Sequence, residues 1–129
     1  PEMSRGLGDV YKRQSQNRML QKEMEKATQY FSEHFTEEIS IEQYAMDKHL
    51  STSWFIRSFK RYNGVTPMQY ILNLRITNAK TLLRTTTYSV AEVASIVGYD
   101  NPLYFSRLFK KQTGLPPSEF RNTETMFFI

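Results

Sequence analysis

Arg57 and Arg107 stand fifty residues apart in nearly the same phrase, Ser-Trp-Phe-Ile-Arg-Ser-Phe-Lys-Arg beginning at Ser53 and Leu-Tyr-Phe-Ser-Arg-Leu-Phe-Lys-Lys beginning at Leu103. A guanidinium can donate two parallel hydrogen bonds to the O6 and N7 atoms of guanine, a pattern that no other base offers in the major groove. Three and four residues later come two more cations, Lys60 and Arg61 in the first phrase, Lys110 and Lys111 in the second. Charges set further along are better placed to neutralise phosphates, which adds affinity and salt sensitivity without sequence preference. Ser53 and Ser106 add hydroxyls that can serve a base edge or a phosphate. The chemistry open to this set is recognition of a base-paired polyanion, with Arg57 and Arg107 the first candidates for reading bases.

Other chemistries find no support in the residue inventory. The chain of 129 residues has no cysteine, which excludes disulfides, thiolate metal sites and cysteine nucleophiles together. His34 and His49 have no partners at metal-ligand spacing, and Glu37 with Glu38 reads as surface charge. Nothing resembles an activated nucleophile or a phosphate-cradling glycine loop, so neither an enzyme, a metal nor a cofactor is expected. The formal net charge is +4, and it is unevenly spread. After residue 40, 11 Lys and Arg face 6 Asp and Glu, whereas residues 15–40 carry 3 against 5. The positive charge therefore belongs to the repeated part, which favours an anionic partner. No apolar run approaches a membrane span and no signal peptide is visible, so the expectation is a soluble, cytoplasmic protein.

The elements that must hold these side chains are helices. At an offset of 50, Phe55/Phe105, Arg57/Arg107, Phe59/Phe109, Lys60/Lys110, Gly64/Gly114 and Pro67/Pro117 coincide. Helical solenoids need about three or more repeats to bury a continuous core, so two copies suggest a paired tool instead. Ahead of the first copy, Leu20, Met24, Ala27, Phe31 and Phe35 trace one face of a helix. Ser40 with Gln43, and Ser89 with Glu92, form capping boxes opening two short helices. His49 and Gly98 hold the turns, and Ala45 and Ala94 sit where two helices must cross closely. Ser51 or Thr52, and then Asn101 with Pro102, start the longer helices, which stop at Gly64 and Gly114. Each copy is thus a helix-turn-helix whose second helix buries a phenylalanine pair and turns its other side outward. That outer side holds Ser53, Ile56, Arg57 and Lys60 in the first copy, and Leu103, Ser106, Arg107 and Lys110 in the second. Trp54 is read as covering the edge of the core in preference to stacking beside a sugar. Between the copies, Pro67 starts a linker helix of roughly 19 residues, about 28 Å long at 1.5 Å per residue. Successive major-groove faces on one side of B-DNA are about 34 Å apart, a distance such a rod plus the flanking helices could span.

These residues carry a resemblance. The run from Ala94, ASIVGYDNPLYFSRLFKKQTGLPPSEFR, closely resembles the signature of the AraC/XylS family of bacterial transcription regulators, and RITNAKTLLRTT resembles that family's linker helix. MEKATQYFSEHFTEEISIEQYA is similar to its first helix and the lead-in to its first motif, so the likeness covers about residues 23–122. The resemblance implies an all-α fold of about seven helices, two helix-turn-helix subdomains joined by a long linker helix. It further implies two recognition helices inserted into adjacent major-groove segments of a promoter. Its reading positions fall on Ser53, Ile56 and Arg57, and on Leu103, Ser106 and Arg107, with Lys60, Arg61, Lys110 and Lys111 toward phosphates. Ile56 and Leu103 are apolar where the family often carries polar readers, which points them to a thymine methyl. Pro102 stands where a polar residue would begin the second reader.

The chain divides, on this reading, into residues 15–65 with the first motif, 66–86 as linker helix, 87–122 with the second motif, and an apolar tail at 123–129. Residues 6–14, GLGDVYKRQ, read like the in-frame translation of a transposon-type sequencing adapter. Residues 1–14 are therefore expected to be a non-native, disordered scar, with an upstream portion of the gene missing. Double-stranded DNA is the expected partner and RNA polymerase a further candidate, while any effector would act through a missing N-terminal domain. The rival expectation is a basic helical protein-interaction module without sequence-specific DNA binding.

Overall fold

The computed structural model describes the backbone of residues 2–127 and the side chains of residues 10–123. The chain is all-α: α1 (Glu2–His34), α2 (Ile41–Asp47), α3 (Thr52–Asn63), α4 (Pro67–Thr85), α5 (Val90–Val97), α6 (Pro102–Thr113) and α7 (Pro117–Phe127). No strand occurs among the described residues. The helices gather into two compact units, Pro1–Glu33 with Ile41–Pro67, and His34–Ser40 with Met68–Ile129.

The first unit is built on aromatic packing. Met24, Ala27 and Phe31 of α1, Ile41, Tyr44 and Ala45 of α2, and Phe55 and Phe59 of α3 are buried. Their spacings of three and four residues are what one face of a helix requires. The Phe31 ring lies 6.3 Å from Phe55 and 5.7 Å from Phe59, and Tyr44 lies 5.2 Å from Phe55. One polar atom is enclosed at a cost: the Tyr44 hydroxyl has no hydrogen-bond partner among the described residues. Burial, with smaller contributions from Glu23 and Tyr30, pushes its pKa up to about 12.

In the second unit the linker helix is one wall of the core. Ile76, Ala79 and Leu83 of α4 pack with Val93, Ala94 and Val97 of α5, Phe105 and Phe109 of α6, and Phe120 of α7. Two arginines fasten the surrounding backbone. Arg75 of α4 donates to the carbonyls of Phe35 (2.7 Å) and Glu37 (2.8 Å), and its guanidinium lies over the Tyr99 ring at 4.9 Å. Arg121 of α7 donates to the carbonyls of Leu83 and Tyr88, satisfying acceptors at and just beyond the end of α4. These bonds and the shared core explain why α4 and the His34–Ser40 connector cluster with the second motif, where the sequence suggested a separate linker segment.

Two segments differ from expectation. Residues 1–14 were expected to be disordered, yet α1 is continuous from Glu2. Residues 10–19 are exposed throughout, so tertiary burial does not hold that stretch. Helix growth gains one hydrogen bond per residue once a turn exists, and the docked turns around Met24, Ala27 and Phe31 supply the nucleus. Propagation then runs through Gly6 and Gly8, each costing about 1 kcal/mol relative to alanine. At the other end, α7 continues into the apolar tail as far as Phe127, and the tail's side chains from residue 124 lie outside the described ones.

Candidate nucleic-acid interface

Both candidate reading helices are positioned by the same local devices. Ser51 caps α3 by accepting a hydrogen bond from the Trp54 amide at 3.2 Å. Asn101 caps α6, accepting from the Leu103 and Tyr104 amides at 3.0 and 3.2 Å, with Pro102 in its first turn. Each helix ends at a left-handed glycine whose amide donates to the carbonyl of a lysine, Gly64 to Lys60 and Gly114 to Lys110, both at 2.7 Å. Between Ser53 and Pro67, and between Leu103 and Pro117, burial agrees position by position. A repeated sequence has become a repeated surface.

The turns before these helices repeat on a different count. Ala45 and Ala94 are fully buried and 49 residues apart. Their carbonyls accept the amides of Leu50 and Tyr99, each at 2.8 Å, again 49 apart. His49 and Gly98 both take the left-handed region, at φ 58° and 109°. The N-caps Ser51 and Asn101 are 50 apart, because Asp100 is one extra residue between turn and helix in the second copy. Glycine is required at position 98 for space as well as φ: a Cβ there would meet the Thr36 carbonyl oxygen at 2.9 Å.

The outward faces carry the predicted residues. Ser53, Arg57, Lys60 and Arg61 are exposed on α3, with Ile56 half-buried. Leu103, Arg107, Lys110 and Lys111 are exposed on α6, with Ser106 half-buried. Leu103 is 71% exposed, a large apolar side chain presented to solvent. None of the six side-chain cationic groups forms a hydrogen bond or ion pair with another described residue, and the ion pairs of Lys26 with Glu23 and His34 with Glu37 lie elsewhere. No acidic residue stands in the first turn of either helix. Each unit therefore offers a cationic helix face with free donors, suited to phosphates and base edges.

Two arginines depart from their expected parts, and Trp54 takes a position at the boundary with solvent. Trp54, expected to cover the core edge, is 38% exposed. It borders a surface hollow with Leu20, Lys48 and Leu50, outside the sealed aromatic cluster. Arg75 and Arg121, counted among the basic residues of the repeated part, are engaged with backbone carbonyls. In the fold, four residues before each stands a buried residue, Ile71 and Pro117, whereas Ser53 and Leu103 before Arg57 and Arg107 are exposed; the sequence does not show this difference, since Leu103 is as apolar as Ile71. Among the described residues no helix is long and apolar enough to cross a membrane, and no group of His, Cys, Asp or Glu is placed to hold a metal.

Comparison with known proteins bears on this arrangement. A family model described as a helix-turn-helix domain matches residues 44–123. The arabinose operon regulatory protein of Escherichia coli is 42% identical over 96 residues, covering 74% of this chain and 33% of that protein. Among solved structures, the C-terminal domain of AraT, a response regulator from Geobacillus stearothermophilus, is similar with a TM-score of 0.74 and 32% identity. That match covers 78% of this chain and 84% of the AraT domain. The DNA-binding domain of AdpA, solved in complex with a target DNA, is similar with a TM-score of 0.72 and 30% identity over 78% of this chain and 90% of that one. The chain spans between 30% and 47% of the length of the first curated relatives it matches.

Proposed function

The chain belongs to the AraC/XylS family of helix-turn-helix DNA-binding domains, and on that premise we propose that it binds double-stranded DNA sequence-specifically through α3 and α6. The two helices enter successive major-groove segments of a promoter. Arg57 and Arg107 read guanine by paired hydrogen bonds, Ser53 and Ser106 assist at base edges, and Ile56 and Leu103 meet thymine methyl groups. Lys60, Arg61, Lys110 and Lys111 neutralise phosphates. One observation carries this reading: the same set of exposed cations recurs in phase on two helices with matching burial and matching caps. A solvated arginine is common, but one repeated with its whole surroundings is not.

As a regulator's DNA-binding part, the domain would act from the nucleoid of a bacterial cytoplasm and present bound DNA to RNA polymerase. An effector signal would reach it through chain outside the matched segment. The decisive experiment is selection from a random duplex pool, followed by affinity measurement on the enriched and a scrambled duplex in bulk competitor. The expected outcome is a specificity ratio of about 10³ or more. Equal affinity for both duplexes would replace this reading with that of a basic protein-interaction module.

A further inference from the structure

The faces of α3 and α6 carry a second repeated pair, an aromatic ring without an assigned role aligned with one of the cations assigned to phosphates. At 100° per residue, the buried Phe55 and Phe59 fix the inward direction of α3, and Arg57 projects almost opposite to it. Ser53 and Lys60 lie on one flank of Arg57. Trp54 and Arg61 lie on the other, seven residues apart and within about 20° of each other around the axis, about 10.5 Å along it. On α6 the corresponding flank is occupied by Tyr104 and Lys111. Trp54 is 38% exposed and Tyr104 54% exposed. The Tyr104 ring is held edge-on to Tyr99 at 6.0 Å. Each ring rests one side on its own unit and leaves part of its surface in water, and the two occupy the same position of the repeat, each aligned with a cation.

We infer that Trp54 with Arg61, and Tyr104 with Lys111, form a groove-wall clamp: the ring packs against deoxyribose of one strand while the cation pairs with a phosphate of that strand. This inference rests on the DNA-binding function proposed above and assigns a contact within it. A helix centred in the major groove turns its two flanks toward the two sugar–phosphate walls. A sugar offers an apolar surface bordered by negative charge, which matches a ring bordered by positive charge. Such a contact adds affinity and fixes the helix in the groove without distinguishing bases.

Trp54 is the chain's single tryptophan, so its emission reports on this contact alone. Duplex DNA carrying an end label is added, with binding followed by label anisotropy while Trp54 emission and acrylamide quenching are recorded on the same sample. Binding should shift the emission and lower the quenching constant at least about twofold, as expected for a ring leaving water. Trp54→Ala and Tyr104→Ala should each weaken binding on the order of threefold to tenfold, equally on selected and scrambled duplexes and with unchanged salt slope. Trp54→Phe should retain most of the affinity, and far-ultraviolet circular dichroism checks that each variant is folded. Label anisotropy that rises while Trp54 emission and quenching stay constant would overturn the clamp and leave the DNA-binding function standing. A loss confined to the selected duplex would make Trp54 a base reader, which also overturns it. No anisotropy change on any duplex would defeat the DNA-binding function itself, and the clamp with it.

Discussion

Among the described arginines, Arg57, Arg107, Arg75 and Arg121 divide two and two by what stands one helical turn before them. Arg57 and Arg107 follow exposed residues and find no partner among the described ones, whereas Arg75 and Arg121 follow buried residues and close on backbone carbonyls. A free guanidinium can discriminate bases, and a neighbouring ammonium can add only charge. Arg107→Ala should therefore cost on the order of 1–3 kcal/mol on the selected site and relax preference at one base pair. Lys111→Ala should weaken all duplexes alike and reduce the salt slope by about 1. Binding to a set of single-base variants of the site measures both, and a uniform loss from Arg107→Ala would remove it from the readers. Tyr44 supplies a prediction of stability. Its buried hydroxyl is unpartnered and its pKa is raised to about 12 from 10.0. Between those values the unfolded chain has released a proton that the native state still holds, so stability falls as pH rises through that window. Below it Tyr44 has no effect on pH dependence. Tyr44→Phe should leave stability at pH 7 unchanged or raise it by about 1 kcal/mol, and should flatten the alkaline limb of a Tm-versus-pH curve.

At the level of the element, the repeat shows how one motif tolerates two turns. The left-handed position is His49 in one copy and Gly98 in the other, and only the second is crowded, by the Thr36 carbonyl and the Arg75 guanidinium. Gly64 is also left-handed, at φ 82°, but a Cβ there would meet open space. Gly64→Ala should thus cost only the backbone strain, about 1–2 kcal/mol. Gly98→Ala should cost more, on the order of 3 kcal/mol, because the overlap with backbone adds to that strain. Chemical denaturation of the two variants compares them directly. The long first helix contains its own contrast. Residues 10–19 are exposed throughout, while Met24, Ala27 and Phe31 are sealed. Amides of residues 10–19 should exchange orders of magnitude faster than those of residues 24–31, because fraying from the end needs no core opening. Equal protection along α1 would show that something else covers its first half.

For the whole molecule, two compact units each present one cationic helix. On the proposed function, a single chain thereby carries two reading helices of the kind that helix-turn-helix proteins commonly assemble by dimerisation. The DNA site should accordingly contain two short informative segments centred about one helical turn apart, separated by positions of weak preference. If Lys60, Arg61, Lys110 and Lys111 each neutralise one phosphate, the slope of log affinity against log salt should be about −4. A slope near −2, with one informative segment, would mean that only one unit engages DNA.

Much of this was legible in the chain itself, because helix periodicity, capping residues and an in-phase repeat are local properties. Gly64, Gly114, Ser51, Ser89 and Asn101 mark helix boundaries by chemistry acting over four residues or fewer, and Phe55, Phe59, Phe105 and Phe109 mark the buried faces. The sequence alone determined the all-α class, the doubled motif and the cationic outer faces of α3 and α6. Tertiary structure decided what depends on contacts far apart in the chain. Arg75 and Arg121 gave up their cationic surface to carbonyls more than thirty residues away, the linker helix became one wall of the second core, and Trp54 stayed in view of solvent. Periodicity says which way a side chain points along its own helix, but only the packed fold determines what is waiting there.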